Sequence, residues 1–158
     1  MRKLRIYLET TVFNRYFEPE RDNHRDTVRL FEEIAEGKFE AYTSAYVIKE
    51  LLDTADEQKR NEMIQLVSRH GIIILDESDE TETLAEAYVT HGVITKPHYL
   101  DRLHVACASV NTLDAIISLN FSHINRPKTK ELSEPVNKIY GYGKIYIGTP
   151  MEVIDNDE

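Results

Sequence analysis

Glu9 closes the run Arg5-Ile6-Tyr7-Leu8-Glu9-Thr10-Thr11, whose earlier residues alternate as a strand does. Glu50, Asp101 and Asn120 stand at comparable junctions further along. In an open α/β sheet, ligands bind beyond the carboxyl ends of the strands, so a charged group there faces a crevice. Glu50 lies near the apolar face marked by Val47 and Leu51. Asp101 falls in the first turn of a helical pattern and shares its face with His104, Val105 and Ala108. A carboxylate on so apolar a face is costly unless something cationic meets it. Oxygen donors of this type suit a hard cation, Mg²⁺ or Mn²⁺. Two such ions ~3.5–4 Å apart activate water and stabilise the leaving oxygen of a phosphodiester. Glu9, Glu50 and Asp101 supply the negative charge, and Asn120 a neutral carbonyl. The chain has 28 acids, so strand-end carboxylates are by themselves a weak signal.

The elements that must position these groups alternate along the chain. Ile6 to Leu8 reads as the first strand, with Thr10 and Thr11 able to cap a following helix and a loop containing Pro19 beyond. His24 to Glu36 reads as a helix stopped by Gly37, and Phe39 to Tyr42 as a short strand. Ser44 caps the helix bearing Val47, Ile48, Leu51 and Leu52. A charged turn, Asp56 to Arg60, leads to a helix with Met63, Ile64 and Val67. Ile72 to Leu75, apolar throughout and rich in β-branched residues, predicts a buried parallel strand. Asp79 and Glu82 have capping-box spacing ahead of Leu84, Ala85, Ala87 and Tyr88. Tyr99 to Leu113 reads as a helix and Ala115 to Leu119 as a fourth strand. Lys128 to Ile139 is weakly helical despite Pro135, Lys144 to Ile147 a possible edge strand, and Pro150 to Ile154 a last turn. This alternation predicts an α/β fold, with a mostly parallel sheet covered on both faces.

The chain as a whole sets bounds. Its 158 residues amount to one ordinary domain, expected over 1–154 with an acidic tail at 155–158. A domain of that size buries roughly 68–70% of the surface its unfolded chain exposes, enough to fold without staples. Charged residues at 30% and hydrophobic ones at 41% give a globular balance. Cys107 is the single cysteine, which excludes an internal disulfide, and it reads as a small buried hydrophobe. No run approaches the ~20 apolar residues of a membrane span, and the expected setting is the cytoplasm. A net charge of −9 argues against non-specific nucleic-acid binding, unless the acids cluster to hold cations.

Four segments, taken together, resemble the PIN domain family in its VapC-like branch. They are Ile6-Tyr7-Leu8-Glu9-Thr10-Thr11, the stretch from Thr43 to Leu52 around Glu50, Leu100 to Ala108 around Asp101, and Ile117 to Ile124 around Asn120. The resemblance implies a three-layer α/β/α fold and metal-dependent cleavage of RNA, often by the toxin of a toxin–antitoxin pair. It implies Glu9, Glu50, Asp101 and Asn120 as catalytic and Mg²⁺- or Mn²⁺-binding residues. It implies, too, an antitoxin partner and a homodimer. The chain departs from the family pattern in Glu9, where Asp is usual, in Asn120, commonly Asp, and in Ser122, often an acid. Those departures motivate the alternative, a catalytically weak PIN scaffold that binds RNA or a protein partner. A haloacid-dehalogenase-type phosphatase needs an Asp nucleophile with a second Asp two residues on, and Glu9-Thr10-Thr11 has neither.

Each residue also has a plainer reading. Glu9 and Asp101 suit the positive end of a helix dipole, and Glu50 an ordinary ion pair. Asn120 suits a turn. His104 reads as a packed structural histidine, and His123 as a cap or phosphate contact. Thr10 and Thr11 read as caps or as contacts to a metal's water. Arg126, Lys128 and Lys130 read as a solvated surface or as contacts to an RNA backbone.

Overall fold

The protein is described here by a computed structural model covering residues 2–155. In chain order the elements are β1 (Leu4–Leu8), α1 (Thr10–Tyr16), α2 (His24–Ala35), β2 (Phe39–Ser44), α3 (Ala45–Leu52) and α4 (Glu57–Arg69). There follow β3 (Ile73–Leu75), α5 (Asp79–Thr90), α6 (Tyr99–Val110), β4 (Ala115–Ile117), α7 (Pro127–Ile139), β5 (Tyr146–Gly148) and α8 (Pro150–Val153). The five strands form one sheet in the order β3-β2-β1-β4-β5, and every pairing is parallel. Two helical layers enclose it, giving the expected three-layer α/β/α fold.

Burial follows from this order. Central β1 contributes Ile6, Tyr7 and Leu8, and adjacent β4 contributes Ala115, Ile116 and Ile117, all buried. Strands covered on both faces need apolar residues at successive positions rather than alternate ones. On one side α2 packs with α1, α8 and β2; elsewhere α6 packs with α3, α5 and β4. Each fully buried large side chain contributes roughly 1.5–3 kcal/mol relative to exposure.

The topology also places the site. From β1 the chain steps to β2 and β3 on one side, and later returns to β4 on the other. Between β1 and β4 the direction of winding reverses, and the connections after these strands diverge to leave a crevice. The ladder runs one residue past β1, with the Glu9 N–H donating to the Ile117 carbonyl at 3.1 Å.

Several local expectations are corrected. Ile72 to Leu75 is not a buried strand: β3 lies at the sheet edge, with Ile73 51% and Ile74 48% exposed. An apolar run reports suitability for a sheet, but strand order alone decides whether a second neighbour covers it. Helix α5 is capped by Ser78, whose Oγ accepts from the Thr81 N–H at 3.1 Å, so Asp79 is the first helical residue rather than the cap. Asp56 caps α4 through the Lys59 N–H, and the helix begins within the stretch read as a turn. Helix α6 ends at Val110, and α7 carries Pro135 internally without being broken. Asp155 is not free: its side chain pairs with Lys38 Nζ at 3.0 Å and its N–H donates to Glu33. The rest of the expected acidic tail, 156–158, lies outside the described residues.

Other local signals hold. Ser44 caps α3, its Oγ accepting from the Val47 N–H at 3.2 Å. Gly37 takes φ +80°, and the Lys38 N–H returns to the Glu33 carbonyl at 3.0 Å, closing a left-handed helix end.

Strand position therefore predicts mutational cost. Ile116→Ala, in the fully buried strand beside β1, should destabilise by about 2–5 kcal/mol, and Ile74→Ala, on the exposed edge, by about 1 kcal/mol or less. Urea unfolding of the two variants checks this; equal costs would contradict the strand order.

Candidate metal centre at the strand ends

Glu9 is the N-cap of α1 by position, yet it makes no side-chain cap bond. Its carboxylate instead turns under the crevice, 2% exposed. Thr11 Oγ1 and Ser118 Oγ each donate to Glu9 Oε1 at 2.6 Å. Both hydroxyls also accept from the loop after β4: Thr11 from the Leu119 N–H at 2.8 Å, and Ser118 from the Asn120 N–H at 3.0 Å. Glu9 is thus the joint between the ends of β1 and β4. Both hydrogen bonds fall on Oε1, leaving Oε2 without a hydrogen-bond partner among the described residues. Burial pushes the Glu9 carboxyl above the usual carboxylate range; the field of His104 and the two hydroxyls only partly offset it.

Glu50, on α3, meets His104 of α6, with His104 Nε2 donating to Glu50 Oε1 at 2.5 Å. Thr10 Oγ1 donates to the same oxygen at 2.6 Å. Burial opposes charge on Glu50, but the hydrogen bond and charge of His104, helped by Thr10, prevail and hold its carboxyl below the usual range. His104 is fully buried. Burial alone would lower its pKa; the contact with Glu50 and the fields of Glu50, Glu9 and Asp101 raise it instead. His104 Nδ1 and Tyr7 Oη share a hydrogen bond at 2.7 Å, and Tyr7 Oη and Ser44 Oγ share another at 2.6 Å. Ser44 is also the α3 cap, so the chain of bonds ties the helix carrying Glu50 to the central strand.

Asp101 sits one turn before His104 on α6. Its Oδ1 accepts from Asn120 Nδ2 at 3.1 Å, and its Oδ2 lies 3.0 Å from His123 Nδ1. Asn120 Oδ1 accepts from the His123 N–H at 3.0 Å. A backbone N–H can only donate, so it orients the Asn120 amide with its nitrogen toward Asp101.

All four residues singled out from sequence therefore line one end of the sheet. Glu9, Glu50 and Asp101 act jointly on His104, the first and last through their fields. They do not bring three donor oxygens within 4.8 Å of one another; the group that does, among the described residues, is His98, Asp101 and His123. Glu50 is drawn onto His104, and Glu9 and Glu50 repel each other. In donor type the set fits a hard cation: three carboxylates, with Glu9 Oε2 not engaged by a hydrogen bond among the described residues.

Sequence reasoning read Thr10 and Thr11 as caps or as contacts to a metal's water; in the structure their hydroxyls donate to Glu50 and Glu9 respectively. Ser118, Tyr7 and His98 were passed over. His98 and His104 lie three residues either side of Asp101, the spacing that puts helical neighbours on one face. Ser118 sits two residues before Asn120. Those spacings were the available signals. Of the basic residues, Arg126 is committed to structure, donating to the Val93 carbonyl and Thr129 Oγ1, whereas Lys128 and Lys130 are exposed on the first turn of α7.

An all-parallel α/β/α sandwich with acids gathered where its winding reverses defines a class of strand-end acid-site proteins. The PIN domain model matches residues 6–126, and the chain belongs to the PIN domain family. In fold it is similar to VapC20 of Mycobacterium tuberculosis, described as a Sarcin-Ricin loop cleaving toxin. That match has a TM-score of 0.59 at 11% identity, covering 89% of this chain and 98% of that one. It is also similar to VapBC2 of Rickettsia felis, solved bound to a DNA fragment from its promoter, with a TM-score of 0.56 at 14% identity, covering 79% and 95%. No curated protein matches the sequence.

The raised pKa of Glu9 has a consequence for stability. A carboxyl raised on folding contributes stability at low pH that is lost as pH climbs through its folded pKa. In chelator, Glu9→Gln should be more stable than the parent at pH 7, by about 0.5–2 kcal/mol, since Gln still accepts from both hydroxyls. The gap should close toward pH 4.5, near the ordinary carboxylate value. Thermal unfolding of both proteins across that range tests it; a gap independent of pH would remove burial of charge as the cause.

Proposed function

We propose that this chain is a metal-dependent ribonuclease of the PIN type, acting on RNA phosphodiesters as the toxin of a toxin–antitoxin pair. The observation that carries this reading is the meeting of Glu9, Glu50 and Asp101 around His104, at the one place where the sheet's winding reverses. Glu9, Glu50 and Asp101 would hold Mg²⁺ or Mn²⁺, with Asn120 assisting by orienting Asp101. Such an ion, when bound, lowers the pKa of water and offsets charge on the phosphate.

The chain's own residues prepare that setting. Thr11 and Ser118 hold Glu9 by one oxygen and leave the other to the crevice. His104 and Thr10 hold Glu50 by one oxygen in the same way. None of these groups serves as a nucleophile in this reading; water attacks the phosphorus. The net charge of −9 repels RNA overall, so its backbone is met locally, with exposed Lys128 and Lys130 the nearest basic pair in sequence to the Asn120 loop. An antitoxin presenting Arg or Lys would complement the acidic crevice. VapC20's description as a cleaving toxin and the presence of VapBC2 on promoter DNA support this reading. Homodimerisation and a single domain over 1–154 complete the proposal.

A second reading, a PIN scaffold that binds RNA or a protein without efficient cleavage, is favoured by the Asn120 amide. Its oxygen is engaged by the His123 N–H, and it brings no charge.

Asp101→Asn should abolish Mn²⁺-dependent RNA cleavage, by a factor of about 100 or more, with the far-ultraviolet spectrum unchanged. Chelator should abolish parental activity equally. Undiminished cleavage by folded Asp101→Asn would end the assignment, and absence of Mn²⁺ binding by calorimetry at millimolar metal would select the scaffold.

A further inference from the structure

We propose that His98, Asp101 and His123 form a separate cation site, adjoining the carboxylates and sharing Asp101, that takes Zn²⁺ or a similar borderline transition ion. The three side chains each offer a donor atom, all within 4.8 Å of one another. Two imidazole nitrogens and one carboxylate oxygen are a set that suits zinc and its neighbours, whereas Mg²⁺ prefers oxygen throughout. Three protein ligands also leave a fourth position open, as in zinc sites that bind water or substrate.

The three donors are neighbours but do not yet converge on one point. Donor atoms on one tetrahedral zinc lie about 3.3 Å apart, given Zn–N and Zn–O distances of ~2.0–2.1 Å. Asp101 Oδ2 and His123 Nδ1 are already 3.0 Å apart. The His98 and His123 rings stack with centroids 3.5 Å apart and planes 24° from parallel. Stacked rings send their lone pairs side by side, so the rings must splay to converge on one ion. Both side chains are only partly buried.

The scaffold behind these ligands is fixed, although neither histidine lies in a helix interior. The His123 N–H donates to Asn120 Oδ1, and its carbonyl accepts from Thr129 Oγ1 at 2.6 Å. Buried Arg102 donates to the Thr95 and Lys96 carbonyls, holding the loop that delivers His98 onto α6. Asn120 Nδ2 holds Asp101 by Oδ1, leaving Oδ2 to His123. Pinning of this kind, one shell behind the donors, sets ligand direction in metal sites.

The assignment stands whether or not the chain cleaves RNA, and its test does not read activity. Full-length protein, stripped of metal with chelator, is titrated with Zn²⁺ by calorimetry, and the loaded protein is read by zinc-edge X-ray absorption. One zinc per chain with imidazole scattering is expected. His98→Ala and His123→Ala should each weaken binding at least about 10-fold, and the double variant should lose the imidazole signal. His91→Ala, at an exposed position outside the cluster, should leave affinity unchanged. Absence of Zn²⁺ binding, an all-oxygen shell in the parent, or equal binding by the double variant overturns the proposal. The parental spectrum needs no variant to fold.

Discussion

Everything at the strand ends is arranged around a buried histidine, His104, that three acids surround. His104 has no exposure, and burial disfavours its charged form. Glu50 at 2.5 Å, with Glu9 and Asp101 acting through space, opposes that effect and raises the His104 pKa. Removing one partner of such a pair leaves an uncompensated charge, which costs far more than the pair itself contributes. The pair therefore constrains the helices that carry it: α3 and α6 must bring Glu50 and His104 together, and Tyr7 and Ser44 must close the chain of bonds behind the ring.

That constraint links fold to chemistry. The same hydroxyls and amides that satisfy the buried acids also stitch the sheet together. Thr11 and Ser118 join Glu9 to the loop after β4, while Thr43 Oγ1 donates to the Leu8 carbonyl at 2.9 Å and joins β2 to β1. Each acid keeps one oxygen fixed by protein donors. In Glu9 and Glu50 this leaves the second oxygen for something else; in Asp101 both oxygens face neighbours, Asn120 and His123. The crevice is thus asymmetric, hard carboxylate donors at one end and imidazole at the other. Burial of Glu9 raises its carboxyl above the usual range and sets a stability cost on keeping it charged there.

How much of this was legible follows the range of the interactions. Ser44 as a cap and Gly37 as a helix end could be read because each acts on backbone within a few residues. Glu9, Glu50, Asp101 and Asn120 could be read as a set because strand-end acids and their flanking patterns match a family. The edge position of β3 was not legible, because Ile73 and Ile74 have the composition of a covered strand. The bonds of Thr10 and Thr11 to the acids were not legible for a related reason. Their local preference is real, but buried carboxylates competed for the hydroxyls and won.

By itself, the sequence determined which segments become strands and helices, and which side chains can donate oxygen to a cation. Those properties rest on local backbone preference and residue chemistry. Only the tertiary structure decided which acids share a neighbour, that Asn120 turns its nitrogen toward Asp101, and that His98 stacks on His123. Those outcomes depend on strand order and on competition for hydrogen-bond partners across distances of up to about a hundred residues, as between Glu9 and Ser118. Such partners meet only when the sheet closes, and no pattern within a short window encodes them.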